Sequence, residues 1–208
     1  MTAVYCFLSA AEAEKVLPLC HFPLDVRLIS LSCEDWNRDL SPWPAARVFL
    51  DGADFSGGAD AFLQKLTSDI LPQKEAVLGI SPTRRLLAGY SLAGLFSLYA
   101  ATECDLFDGI ASMSGSLWFD GFLAYLQANP LSKKVKNVYF SLGDKEKNAR
   151  EPRMKTVEDC TVLAEKTVHI QGKNTLLQMH PGGHFRDVPE RIAAGLSWLV
   201  AKTEEEHG

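Results

Sequence analysis

Apolar residues along the chain come in short runs separated by longer stretches of mixed character. The runs at 4–8, 26–32, 85–88, 109–114, 138–142 and 175–179 have the length of buried strands. Between them, 10–19, 59–71, 92–102, 152–167 and 189–201 read as helices, the second closed by Pro72. Strands that are short and apolar on both faces need helices on both sides of their sheet. The pattern therefore predicts an α/β fold with a mostly parallel central sheet. Residues 35–60 are rich in Pro, Gly and Asp and leave room for one short strand at 48–50. No repeat, low-complexity run or linker interrupts the 208 residues, so one domain over 1–208 is expected. The acidic tail at 204–206 reads as solvated and loose.

In such sheets ligands bind beyond the carboxyl ends of the strands, so chemistry is sought in the loops that follow them. After the run 85–88, Gly89-Tyr90-Ser91-Leu92-Ala93-Gly94 leads straight into a helical stretch. This is the strand–turn–helix setting of a nucleophile elbow. The turn is tight and the helix passes close to the sheet, so small residues must flank the serine. Ala93 stands where the strict motif has glycine. Ser91 then presents its hydroxyl at a helix N-terminus, where the backbone N–H of Leu92 can face an oxyanion. The competing reading makes Ser91 a helix cap and nothing more.

A triad on this architecture runs in the order serine, acid, histidine. The last strand leads into His180-Pro181-Gly182-Gly183-His184, which makes His184 the candidate base and a solvated loop histidine the alternative. His180 could pair with it on a metal, but Pro181 and two glycines break any shared helical face and no third ligand is evident, so no metal is expected. The run 138–142 ends in Gly143-Asp144-Lys145-Glu146. The frequent spacing, an acid three residues after the glycine, selects Glu146 to orient the imidazole; Asp144 is the alternative.

Six segments in order resemble the Putative esterase family of the α/β-hydrolases, which includes siderophore (enterochelin-type) esterases, feruloyl esterases and S-formylglutathione hydrolases. They are Asn37-Arg38-Asp39-Leu40-Ser41-Pro42, Gly57-Gly58-Ala59-Asp60-Ala61-Phe62, the Ser91 segment, Ser114-Gly115-Ser116-Leu117-Trp118-Phe119, Gly143-Asp144-Lys145-Glu146 and Gly182-Gly183-His184-Phe185. The resemblance implies an α/β-hydrolase fold, shortened at its N-terminus, in which Ser91 attacks an ester carbonyl, His184 moves the proton and Glu146 orients His184. It places Arg38, Tyr90 and Trp118 at the substrate, Arg38 toward an anionic or carbonyl group and Trp118 as an apolar wall. The other readings are a structural ion pair for Arg38 and a core position for Trp118. With Trp36 and Trp43 the mouth would be aromatic, and the pocket modest. The second oxyanion donor would come from 9–11 or from 34–36; lacking one costs roughly 10²–10³ in turnover.

Charge and composition narrow the picture. The net charge is −5 and no basic block stands out, which argues against nucleic acid and an anionic membrane as partners. The five cysteines, Cys6, Cys20, Cys33, Cys104 and Cys160, are odd in number and irregular in spacing. That suits a reducing, cytoplasmic setting. The first ten residues lack the basic start of a secretory leader, and no apolar run reaches the ~20 residues of a membrane span. No cofactor is indicated, the partner expected is a small-molecule ester, and the oligomeric state is left open. The reaction expected is carboxylic ester hydrolysis through an acyl-enzyme. An acyltransferase with the same triad, or a catalytically silent binding module on the same fold, are the competitors.

Overall fold

The structure, a computed structural model, describes residues 1–48 and 52–205. Along the chain run β1 (Thr2–Phe7), α1 (Ala10–Val16), β2 (Val26–Leu31), α2 (Trp36–Asp39), β3 (Pro44–Ala45), β4 (Phe55–Ser56), α3 (Ala59–Lys65), α4 (Leu71–Leu78), β5 (Arg84–Tyr90), α5 (Leu92–Glu103), β6 (Gly109–Met113), α6 (Phe122–Ala128), β7 (Asn137–Gly143), α7 (Pro152–Lys155), α8 (Val157–Ile170), β8 (Asn174–His180) and α9 (Val188–Glu205). Six strands form one sheet in the order β2-β1-β5-β6-β7-β8, and β3 and β4 make a small antiparallel hairpin. Every pairing in the large sheet is parallel. The order reverses between β1 and β5, which opens a crevice at their carboxyl ends.

Strands β1, β6 and β7 are buried along their whole length, and alternation sends their side chains into two cores. Tyr5 and Phe7 face one core with Phe62, Phe96 and Phe140, under α3, α5, α6 and α8. Val4 and Cys6 face the other with Met113, Tyr139 and Leu196, under α1 and α9. Each buried Phe or Leu contributes roughly 1.5–3 kcal/mol. A one-residue register slip would exchange the two faces of a strand, so register is held by both cores.

Local chemistry sets the helix ends, with departures from the periodicity. Ser9 and Glu12 form a reciprocal capping box at the start of α1. Pro72 does not close its helix. The chain passes through a π-helical stretch, Leu66–Ile70, and Pro72 enters the first turn of α4, where its missing N–H costs nothing. The stop comes at Gly79, left-handed at φ 63°. The expected helix 152–167 is two, broken at Thr156, where ψ is 1°. Helix α6 lacks a side-chain cap and was not among the expected helices, although Gly121 precedes it and Asn129-Pro130 closes it. Of the short strand expected at 48–50, residues 49 and 50 lie outside the described residues. The tail is not loose as far as it is described: α9 runs to Glu205, and Glu204 accepts from Thr2 at 2.8 Å and pairs with Arg84 at 2.5 Å. Among the described residues no helix is long and apolar enough to cross a membrane.

Candidate active site

The crevice holds a cavity of about 1040 Å³ whose walls include Ser91, Glu146 and His184. Ser91 joins β5 to α5 at φ 59° and ψ −123°, a strained region for a residue with a Cβ. Its side chain makes no capping hydrogen bond, although its backbone carbonyl accepts from Gly94, Leu95 and Ser116 at 3.0–3.3 Å. The turn is held and the hydroxyl is left uncommitted. The close passage of α5 over β5 explains the flanking residues. A Cβ on Gly89 would lie 2.2 Å from the carbonyl oxygen of Ala93. The methyl of Ala93 itself is buried without conflict, so alanine serves where the strict motif has glycine. Leu92 opens α5, so its N–H has no acceptor within the helix.

The two later loops are stitched together before either side chain is considered. Asp144 N donates to His180 O at 2.8 Å, Lys145 N to Gly182 O at 3.1 Å, and Gly182 N to Asp144 Oδ1 at 2.7 Å. A Cβ on Gly143 would lie 2.3 Å from Gly182 O, so the approach demands glycine there. Asp144 thus staples backbone, while Glu146 reaches the imidazole: Oε2 lies 2.7 Å from His184 Nδ1. Oε1 accepts from Gly143 N at 2.7 Å, from Ser114 Oγ at 2.8 Å and from Arg191 Nη2 at 2.6 Å. Burial opposes ionisation of Glu146, but the hydrogen bonds from His184, Arg191 and Gly143 outweigh it and hold the carboxyl down at about 2. An ionised carboxylate only accepts, so Nδ1 carries the proton and, in the neutral ring, Nε2 is an acceptor.

Tyr90 links the two halves. Its hydroxyl donates to His184 O at 2.6 Å, and its ring lies 5.2 Å from the imidazole, centroid to centroid. The residue before Ser91 therefore carries the backbone of His184. Among the described residues no hydrogen bond joins Ser91 Oγ to His184. Such contacts are commonly long before substrate binds.

Trp118 and Trp36 line the cavity, as does Phe185, which is 87% exposed and edge-on to His184. Trp43 does not; its indole donates to Asp120 O at 2.8 Å within a cluster of Phe119, Phe122 and Tyr125. Arg38 is not among the lining residues. Its Nε pairs with Asp39 at 2.7 Å and its Nη2 with Glu34 at 3.5 Å. The Asn-Arg-Asp segment is a folded corner: Asp39 accepts from Glu34 N and Asp35 N, Arg38 O accepts from Gly58 N, and Asn37 faces the cavity. The cavity is larger than the modest pocket expected, because Arg47, Val48, Ala53 and Phe55 of the 35–60 segment wall it. His180 sits 3.4 Å from the Tyr139 hydroxyl, and among the described residues no group of three or more His, Cys, Asp or Glu could hold a metal. The sequence reading missed Ser114 and Arg191. The one signal for Arg191 was a charge beside Ile192 and Ala193 on the apolar side of the last helix.

Sheet order, strand direction and the placement of these loops define an α/β-hydrolase fold. Residues 24–186 match the family described as Putative esterase, and the chain belongs to that family of carboxylic ester hydrolases. It is 25% identical over 185 residues to Uncharacterized protein YbbA of Bacillus subtilis (strain 168), spanning 84% of this chain and 74% of that protein. Among solved structures, siderophore hydrolase EstA from Aspergillus nidulans superposes with a TM-score of 0.75 at 18% identity, covering 97% of this chain and 83% of EstA. An IroE-like serine hydrolase from Shewanella oneidensis gives a TM-score of 0.77 at 16% identity, with coverage of 96% and 70%. At these identities the two structural likenesses speak to the fold alone.

Proposed function

We propose that this esterase works by a Ser91–His184–Glu146 triad through an acyl-enzyme. The observation that carries the reading is the ionised Glu146 held 2.7 Å from Nδ1 of a histidine on the same cavity wall as the uncommitted Ser91 hydroxyl. Ser91 Oγ attacks the ester carbonyl while Nε2 of His184 takes its proton. The tetrahedral oxyanion is met by the N–H of Leu92. The acyl–oxygen bond then breaks, and the imidazolium gives the proton to the departing alcohol. Water, deprotonated by the same nitrogen, releases the acid and restores Ser91.

Backbone hydrogen bonding narrows the candidates for the second oxyanion donor. The N–H of Ser9 is bonded to Glu12, and those of Glu34 and Asp35 to Asp39. That leaves the first-turn N–H groups of Ala10, Ala11 and Trp36, which have no acceptor within their helices. Tyr90 and Trp118 are substrate walls, whereas Arg38 sits outside the cavity in its own ion pairs. The cavity volume suits an ester of substantial size. Because two structural relatives are named siderophore hydrolases, siderophore-type esters belong beside aryl and simple alkyl esters in the substrate panel. The unpaired state of all five cysteines fits the cytoplasmic setting, and the single six-stranded sheet fits one catalytic domain over 1–208.

The test is an ester panel on the parent and Ser91→Ala, with fluorophosphonate labelling. Labelling at Ser91 and loss of hydrolysis in the variant are expected. A folded parent that hydrolyses esters yet resists labelling, with a variant of equal turnover, ends the proposal.

A further inference from the structure

Arg191, in the first turns of α9, is a fully buried arginine, 1% exposed. Its guanidinium touches all three loops of the site at once. Nη2 donates to Glu146 Oε1 at 2.6 Å and to Ser114 Oγ. Nη1 donates to Gly183 O, one residue before His184, at 3.2 Å. Its carbon lies 5.5 Å from the centroid of the Tyr90 ring, one residue before Ser91, in cation–π range. Burying a guanidinium is costly, and an apolar set of similar volume commonly serves stability as well. Here the cost is raised further, because Nε has no hydrogen-bond partner among the described residues. Stability alone gives no reason for this residue at this place.

We infer that Arg191 is a positioning residue for the proposed reaction: by holding the oxygen of Glu146 turned away from His184, and the backbone that carries His184, it fixes the orientation and charge balance of the base. This rests on the triad reading above. Two consequences follow from the geometry. A carboxylate gripped on Oε1 from α9 offers Oε2 to Nδ1 in one direction only, so the imidazole does not rotate. And part of the carboxylate charge is answered by the guanidinium, which limits how strongly the imidazolium is favoured. The other charged or titratable groups near the pair are His180 from β8, Tyr90 from β5, and Asp144 and Lys145 beside Glu146; Glu12 and Lys15 from α1 and Arg47 from the 35–60 segment line the same cavity. Of the cations among them, none makes a hydrogen bond to Glu146, so Arg191 alone of these acts on it by direct contact.

The experiment measures kcat and the pH profile of kcat/KM for Arg191→Met, Arg191→Lys, Glu146→Gln and the Arg191→Met/Glu146→Gln double variant, each checked by thermal melting. Arg191→Met is expected to lower kcat roughly 10–100-fold, as loss of an outer partner commonly does. Its acid limb is expected to move up by about one pH unit, because the carboxylate then faces the imidazolium unanswered. Arg191→Lys should return the limb toward the parent while recovering only part of kcat, since an ammonium cannot span the three acceptors. In the Glu146→Gln background the Arg191→Met change should cost clearly less than it does in the parent, since the share of its action that runs through the carboxylate is already gone and only the hold on the Gly183 backbone and the Tyr90 ring remains. A folded Arg191→Met enzyme with parent kcat and parent acid limb overturns the inference, as does a fully additive double variant. If Arg191→Met does not fold, parent-like kcat in Arg191→Lys overturns it instead. Parent-like turnover in Ser91→Ala would sink the triad and is read separately from all of these.

Discussion

Two partly or wholly buried acid–arginine pairs lie at opposite ends of the sheet, and their difference separates framework from site. Near the amino end of β5, Arg85 grips Glu75 with both branches of its fork, Nε to Oε1 and Nη2 to Oε2, each at 2.8 Å. Tyr5 adds its hydroxyl to the same carboxylate. Both oxygens of Glu75 are taken by framework groups of β1 and β5, and the cluster ties α4 to the sheet. At the carboxyl end Arg191 takes only Oε1 of Glu146, and Oε2 is left for a histidine. The first pair is closed on itself; the second is open toward the cavity. The backbone differs in the same sense. Among the described residues the non-glycine positive-φ positions are Ser91, Ser114 and Asp187, at 59°, 45° and 50°. All three sit around the open pair. Strain of this kind costs of order 1–3 kcal/mol per residue and persists where the surroundings enforce it.

The comparison breaks most easily at the proposed nucleophile. Ser91→Ala should lose roughly 10⁴–10⁶ in kcat with the melting temperature near that of the parent; steady-state ester hydrolysis reads this. Next, the two acids should part company. Glu146→Gln is expected to lower kcat by roughly 10³–10⁴, since the amide no longer fixes the tautomer. Glu75→Gln should leave kcat within a few-fold but reduce stability by about 1–3 kcal/mol. Denaturant titration beside the same assay decides it, and equal catalytic losses in both variants would erase the distinction. A smaller effect concerns acid. Glu146 titrates at about 2 in the folded chain against a reference of 4.5, so its stabilisation is present above 4.5 and lost as pH falls toward 2. Glu146→Gln should flatten the stability profile between those limits, and an unchanged slope would contradict the burial and pairing described. Smaller again, Asp144→Asn keeps an acceptor for Gly182 N and should cost less than about tenfold in kcat. Losses matching Glu146→Gln would return Asp144 to the role of acid. Smallest of all, Arg38→Ala should leave KM within about twofold, since its charge is met by Asp39 and Glu34 outside the cavity.

Much of this is legible in the sequence. The six strand runs and the two-sided burial follow from short apolar segments, because such segments are stable only when covered on both faces. Ser91 and His184 were legible because the glycines around them mark turns that other residues cannot make. Spacing favours Glu146 over Asp144, but both carboxylates follow the same strand, and only the fold shows Glu146 facing the imidazole while Asp144 turns to Gly182 N. The place of Arg38 was not legible. Its motif looks like a binding loop, but Asp39 lies beside it in sequence and captures it. The course of α4 past Pro72 was hidden because a π-helical stretch is a tertiary accommodation with no composition of its own.

The chain by itself determined the alternation of strands and helices, the elbow that presents a hydroxyl and the glycine loop that carries an imidazole, since these depend on periodicity and on backbone freedom within a few residues. Tertiary structure alone decided that a helix ending the fold sends Arg191 back under Glu146, 45 residues away in sequence, and that the carboxylate keeps one oxygen free for His184. A pairing of that kind is fixed by where packed elements bring charges out of water together, and no local pattern of residues records it.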